Sequence, residues 1–239
     1  MKAAALRALH AGPALLVLPN AWDAASARAV EKAGFPAVAT SSGAVARTLG
    51  WDDGEAMPVE EALAAVARIA RAVDVPVTAD VEGGYGLSPA ELAERLLAAG
   101  AVGCNYEDTD HGGDDVLVPA ERQAERIAAL RAAAGDNLVI NARVDTYVHG
   151  IDDYDETVRR ARLYLEAGAD CVYPITLAEE AAIGALVRDL QAPVNVYVRP
   201  QAPSLARLAE LGVRRASFGS GLFRTTHTAL KEALAGLRT

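Results

Sequence analysis

The sequence predicts a (β/α)8 barrel, a ring of parallel strands with helices outside it. Three observations carry this. Short apolar runs alternate with longer amphipathic segments eight times along 239 residues, and such barrels take about 250 residues. Gly34, Gly100, Gly168 and Gly212 each stand just before a new apolar run, where a left-handed residue ends a helix. Polar residues able to do chemistry collect at the downstream ends of the runs, where these barrels carry their sites.

Taken in order, strands are expected at 14–18, 36–40, 75–80, 102–107, 137–143, 170–174, 193–198 and 214–218. Helix starts are marked by Asp23, Ser88-Pro89 and Pro119, which suit capping and first-turn positions. A doubly wound open sheet is the alternative. It would carry a glycine fingerprint after the first strand, where this chain has "PNAWDAAS". No linker or low-complexity tract divides the chain, so residues 1–239 are expected to form one barrel domain.

Composition narrows the function. Hydrophobic residues make up 51% and charged residues 23%, ample for a core. A net charge of −9 and a pI near 5.0 disfavour nucleic acid or an anionic membrane as partner. The N-terminal stretch is broken by Arg7 and His10, so no signal peptide or membrane span is expected and a cytoplasmic location is. Cys104 and Cys171 sit inside apolar runs and read as small buried hydrophobes. Lysine occurs only at positions 2, 32 and 231, away from strand ends, which disfavours Schiff-base chemistry. Neither a GxSxG elbow nor a P-loop is present.

Three acids define the candidate site. Asp80 and Glu82 in "TADVEGGYG" end the third strand, and Glu107 ends the fourth. Carboxylates converging at a barrel mouth repel unless a cation neutralises them or they keep protons. Their oxygen donors suit a hard ion, Mg2+ first and Mn2+ second. Arg143, one strand on, offers a planar fork for a substrate carboxylate. Ser41, Ser42 and Gly43 offer hydroxyls and N–H groups to another carboxylate or an oxyanion. Asn195 ends the seventh strand as a further polar group at the mouth. Among the histidines, His111 in the loop "EDTDHGGDD" is a candidate acid or base. His149 is read as structural or solvated, and His10 and His227 as surface or helix residues. The "GSG" at 219–221 opens the last helix, either as a turn or as a phosphate site.

Together these segments resemble the isocitrate lyase/phosphoenolpyruvate mutase superfamily, from about Leu18 to about Ser220. The segments are "LPNAWDAASARAVEKAGF", "TSSGAVARTLGWDDGE", "DVEGGYG", "YED" and "NARVD". The resemblance implies a (β/α)8 barrel forming homodimers or homotetramers, with a C-terminal helix exchanged between subunits. It implies Mg2+ bound largely through water, with Asp80 closest and Glu82 and Glu107 behind. It gives Arg143 the substrate carboxylate and matches Asp53 to the aspartate following "LG". The chemistry implied runs through enolates of 2-oxo acids. The lyase branch's cysteine- and lysine-bearing loop is replaced here by "TDHGGDDVLVP", which disfavours isocitrate cleavage by the cysteine route.

The expected function is therefore Mg2+-dependent cleavage of a C–C bond in a small 2-oxo or 2-hydroxy di- or tricarboxylate. Lyase, decarboxylase and hydrolase outcomes all fit, with oxaloacetate-type substrates ranked first. P–C chemistry, as in a phosphonomutase or phosphonopyruvate hydrolase, is the alternative, with Arg199 and residues 219–221 as phosphoryl holders. A 2-oxo acid binding protein with little catalysis is the third reading.

Overall fold

The computed structural model of the protein describes residues 1–113 and 116–237, so the Asp114-Asp115 part of the "EDTDHGGDD" loop lies outside it. Helix α1 (Lys2–Ala11) precedes β1 (Leu16–Leu18) and β2 (Asn20–Ala21). Then come α2 (Ala24–Lys32), β3 (Val38–Thr40), α3 (Ser42–Leu49), α4 (Val59–Arg71), β4 (Val77–Asp80) and α5 (Pro89–Ala98). They are followed by β5 (Gly103–Tyr106), α6 (Ala120–Ala134), β6 (Val139–Arg143), α7 (Tyr154–Glu166) and β7 (Cys171–Tyr173). The chain ends with α8 (Glu180–Leu190), β8 (Asn195–Tyr197), α9 (Leu205–Glu210), β9 (Arg215–Ser217) and α10 (Gly221–Ala235).

All strand pairs are parallel, in the orders β1-β9-β8 and β2-β3-β4-β5-β6-β7. Strands β1 and β2 are one barrel strand broken at Pro19, which has no N–H to give the ladder. Its carbonyl still accepts from Ala39 N at 3.1 Å. The ring closes between β7 and β8 through the Val172–Val194 bridge, where Val172 N donates to Pro193 O at 3.1 Å. Each of the eight expected strands is present, starting one or two residues later than expected and ending at most one residue earlier, except that the first continues into β2.

Local signals held where side chains cap. Asp23 and Ser26 form a reciprocal capping box on α2, and Ser88 caps α5 with Pro89 as its first residue. Pro119 lies at the N-cap of α6 rather than inside its first turn. The glycines at 34, 100, 168 and 212 all have positive φ, as the helix endings require.

Three features differ from the expectation. Helix α1 covers the barrel floor: fully buried Leu6 packs with Leu16, Leu18, Ala37, Ala39 and Val139. A β-carbon at Gly103 would fall 2.8 Å from Leu6 Cδ2, so glycine there lets the plug seat. His10, on the same helix, is buried rather than at the surface, and burial lowers its pKa to about 4. Two helices, α3 and α4, follow β3, because a helix starts at once at Ser42 and stops at left-handed Gly50. Lastly, α10 keeps only Phe223 buried, against Trp22 at 5.3 Å between ring centroids, and leaves Leu230 and Leu234 each 53% exposed. Both cysteines are buried and free, and burial pushes their thiols up to about 12. Among the described residues no helix is long and apolar enough to cross a membrane.

Candidate active site at the barrel mouth

Asp80 is the last residue of β4. Its Oδ2 accepts from Ser42 N at 3.1 Å and Ser42 Oγ at 2.9 Å, while Oδ1 accepts from Asn105 Nδ2 at 3.2 Å. Ser42 is the first residue of α3, so the helix start delivers an N–H to the carboxylate. That amide is committed to Asp80 and is not a free oxyanion donor, which corrects the role expected for Ser42. Ser41 Oγ pairs with Ser220 Oγ at 2.9 Å, linking the "SSG" and "GSG" segments. Asp53 lies directly against Gly43, and its carboxylate leaves no room there for a β-carbon.

Glu82 adopts a left-handed φ of 50° and is buried. Its Oε2 accepts from Gly54 N and Glu55 N, both at 2.8 Å, and Oε1 from Tyr85 OH at 2.7 Å. These bonds tie the loop carrying Asp53 to the mouth. Burial raises the Glu82 pKa, and the Tyr85 hydrogen bond opposes the rise.

Glu107, just past β5, touches an imidazole and a guanidinium. Its Oε1 meets His111 Nε2 at 2.5 Å, and its Oε2 forms an ion pair with Arg143 Nη1. Burial pushes Glu107 up to about 8 against the pull of Arg143. The hydrogen bond to Glu107 in turn raises His111. Both shifts favour the protonated form of each side chain.

Arg143, the last residue of β6, is held from the other side by Asp145. Nε and Nη2 donate to its two carboxylate oxygens at 3.0 and 2.8 Å. Burial would depress the guanidinium, but Asp145 and Glu107 hold it well above its usual range. Asp145 is braced by Thr109 Oγ1 at 2.6 Å and donates its own N–H to buried Asp108 at 2.8 Å. Asp108 accepts from Arg160 Nη1 at 2.9 Å and Tyr164 OH at 2.5 Å, anchoring the network in α7.

Two of the three expected acids converge directly, together with His111. Donor atoms of Glu82, Glu107 and His111 come within 4.8 Å of one another, and Asp80 stands outside that group. These buried, partly repelling oxygen donors fit a divalent cation, and His111 adds a nitrogen beside them. Asn195 lies deep in the barrel: Oδ1 accepts from Ser217 Oγ at 2.9 Å, and buried Nδ2 has no partner among the described residues. His149 is held by Thr109 Oγ1 at 2.9 Å. A cleft of about 920 Å³ lies farther out, between the loops after β6 and β7, and includes none of the acids just described. A smaller one of about 310 Å³ reaches His111, Thr109 and Glu55. Sequence reasoning gave no role to Tyr85, Thr109 or Asp145, although each stands within three residues of a residue it chose.

Comparison with known proteins identifies the family. Residues 6–238 match the family model for phosphoenolpyruvate phosphomutase. An uncharacterized protein of Mycobacterium tuberculosis is 34% identical over 227 residues, covering 92% of this chain and 86% of that protein. The 2-methylisocitrate lyase of Bacillus subtilis is 30% identical over 182 residues, covering 73% of this chain and 60% of that enzyme. A solved Burkholderia cenocepacia protein provisionally called a phosphonomutase is 40% identical with a TM-score of 0.91, covering 98% of this chain and 99% of that one. The chain belongs to the isocitrate lyase/phosphoenolpyruvate mutase superfamily, whose members include carbon–carbon lyases. A phosphonopyruvate hydrolase solved with oxalate and Mg++ belongs to the same group (28% identity, TM-score 0.91, covering 100% of this chain and 87% of that one). Oxaloacetate acetylhydrolase, at 24% identity and a TM-score of 0.89 over 99% of this chain and 86% of that one, shares the fold.

The Glu107 environment yields a pH signature. A carboxyl whose folded pKa is raised to about 8 supports the fold below its unfolded value and loses that support as pH rises through about 8. Glu107→Gln, which cannot ionise, should therefore gain stability relative to the wild type as pH climbs from 6 to 9 (about 6 to 9, spanning the shift). Paired thermal melts in chelator across that range check this; parallel pH profiles would contradict it.

Proposed function

We propose that the protein is a divalent-cation-dependent carbon–carbon lyase, or a decarboxylase or hydrolase by the same chemistry. Its substrate would be a small 2-oxo or 2-hydroxy di- or tricarboxylate. The observation that carries this is the convergence of buried Glu82 and Glu107 with His111, with Asp80 two residues before Glu82 on the adjoining strand end and the Arg143 fork against Glu107, at one barrel mouth. Oxygen donors favour Mg2+, then Mn2+. Asp80, Glu82 and Glu107 would hold the ion, which when bound would polarise the substrate's 2-oxo group.

The chain's own residues supply the remainder. Arg143 keeps Asp145 on one edge and would turn its Glu107-facing edge to a substrate carboxylate, fixing orientation. His111, whose pKa Glu107 raises, would hand a proton to the carbon left electron-rich when the bond to C3 breaks. Asp53 is the second candidate for that transfer, or for drawing a proton from water in a hydrolytic variant. Ser41 and Gly43 would shape the substrate's surroundings, with Ser42 acting through Asp80, whereas Asn195 starts β8 and lies deep in the barrel, away from the mouth position expected for it.

Relatives named 2-methylisocitrate lyase support C–C cleavage. The 40% identical Burkholderia protein supports the P–C alternative, in which Arg199 and residues 219–221 would have to hold the phosphoryl group. We also propose a cytoplasmic homodimer or homotetramer, with the exposed Leu230 and Leu234 of α10 covered by a second copy.

Enzyme-dependent loss of oxaloacetate with Mg2+, abolished by chelator and by Asp80→Ala, is the expected result. Arg143→Ala should lower kcat/KM by about 100-fold. Phosphate release or phosphoenolpyruvate formation from phosphonopyruvate, with oxaloacetate untouched, would favour the alternative; turnover of neither would contradict an enzyme of this kind. For the assembly, light scattering should show a multimer that Leu230→Glu with Leu234→Glu reduces to monomer. A monomeric wild type would contradict the proposed contact.

A further inference from the structure

Arg215 is the charged residue that this chemistry leaves unused. It reaches from β9 across the barrel to β5 and is fully buried. Nη2 donates to Asn105 Oδ1 at 3.0 Å, while Nε and Nη1 have no hydrogen-bond partner among the described residues. A buried guanidinium so sparsely partnered is costly, and an apolar side chain of similar length would fill the space without that cost. The single bond it makes is therefore the feature to explain.

Asn105 stands between Arg215 and Asp80. Its Oδ1 accepts from Arg215 and also from Asn141 Nδ2 at 2.8 Å, and its Nδ2 donates to Asp80 Oδ1 at 3.2 Å. A guanidinium has donors and no acceptor, so the amide atom facing it has to be oxygen. That turns the NH2 group toward Asp80. Asn141 cannot enforce this orientation alone. Its own Oδ1 is buried without a partner, so its amide can rotate together with that of Asn105.

We propose that Arg215 is a positioning residue that locks the Asn105 amide, so that its NH2 holds Asp80 in the orientation that faces a bound cation. This rests on the cation-binding reading above. Arg215 touches neither ion nor substrate; it acts through one hydrogen-bonded residue.

The test is Mn2+ affinity, measured by electron paramagnetic resonance on the full chain. Arg215→Met should weaken Mn2+ about tenfold, the usual scale for a group that orients a metal ligand. Arg215→Lys, which still presents only donors, should restore much of that loss. In a double-mutant cycle, Arg215→Met added to Asn105→Ala should cost little more than Asn105→Ala alone. Thermal melts accompany each variant, and the Lys variant keeps the question open to measurement if the Met variant does not fold. Unchanged affinity in Arg215→Met, a Lys variant as weak as Met, or additive losses would overturn the proposal while leaving the cation reading intact. A wild type that binds no Mn2+ would instead overturn the cation reading, and this proposal with it.

Discussion

Like charges crowded out of water dominate this molecule. Glu82 and Glu107 are buried with their oxygens close together, and Asp145 lies beside them on the far side of Arg143. Anions so placed need donors, protons or cations. Each finds donors on a different segment: Asp80 on α3 and β5, Glu82 on the 54–55 amides and Tyr85, Glu107 on Arg143 and His111. The mouth is therefore assembled by its own electrostatics. The loop bearing Asp53 is held in place because Glu82 needs its amides.

The barrel gives these demands a common location. Parallel strands end on one face, and β3 to β6 are neighbours in the ring, so residues far apart in sequence meet without long loops. Below them, the network running from Asp145 through Asp108 to Arg160 and Tyr164 fixes the arginine strand against α7. Arg143 is thereby oriented in advance, between Asp145 on one edge and Glu107 on the other. The floor is sealed separately by α1, which leaves the mouth as the open end.

Much of this was legible in the sequence. Strand ends place a polar residue by simple alternation, so Asp80, Glu107 and Arg143 could be read from position alone. The capping box at Asp23 and the glycines at 34 and 100 depend on a few neighbours and were equally plain. What escaped depends on contacts across the fold. Asn105 lies on an apolar strand, and nothing local says that Arg215, 110 residues away, will fix its amide. His111 is picked out by its loop as a candidate acid or base, but only the chain turn shows that its partner is Glu107. Helix α1 carries mostly alanine and leucine, and only the third dimension shows that Leu6 fits the hollow over Gly103. Ser42 was identified, but the immediate start of α3 directs its amide to Asp80.

If Glu82 and Glu107 bind a divalent cation as proposed, its arrival would displace the proton that burial favours on Glu107 and leave His111 its own. Calorimetric titration of the chain with Mn2+ near neutral pH, in two buffers of different ionisation heat, tests it most directly. Binding accompanied by release of about one proton is expected, because ligand groups must deprotonate to coordinate. No binding, or binding with no proton released, would contradict it.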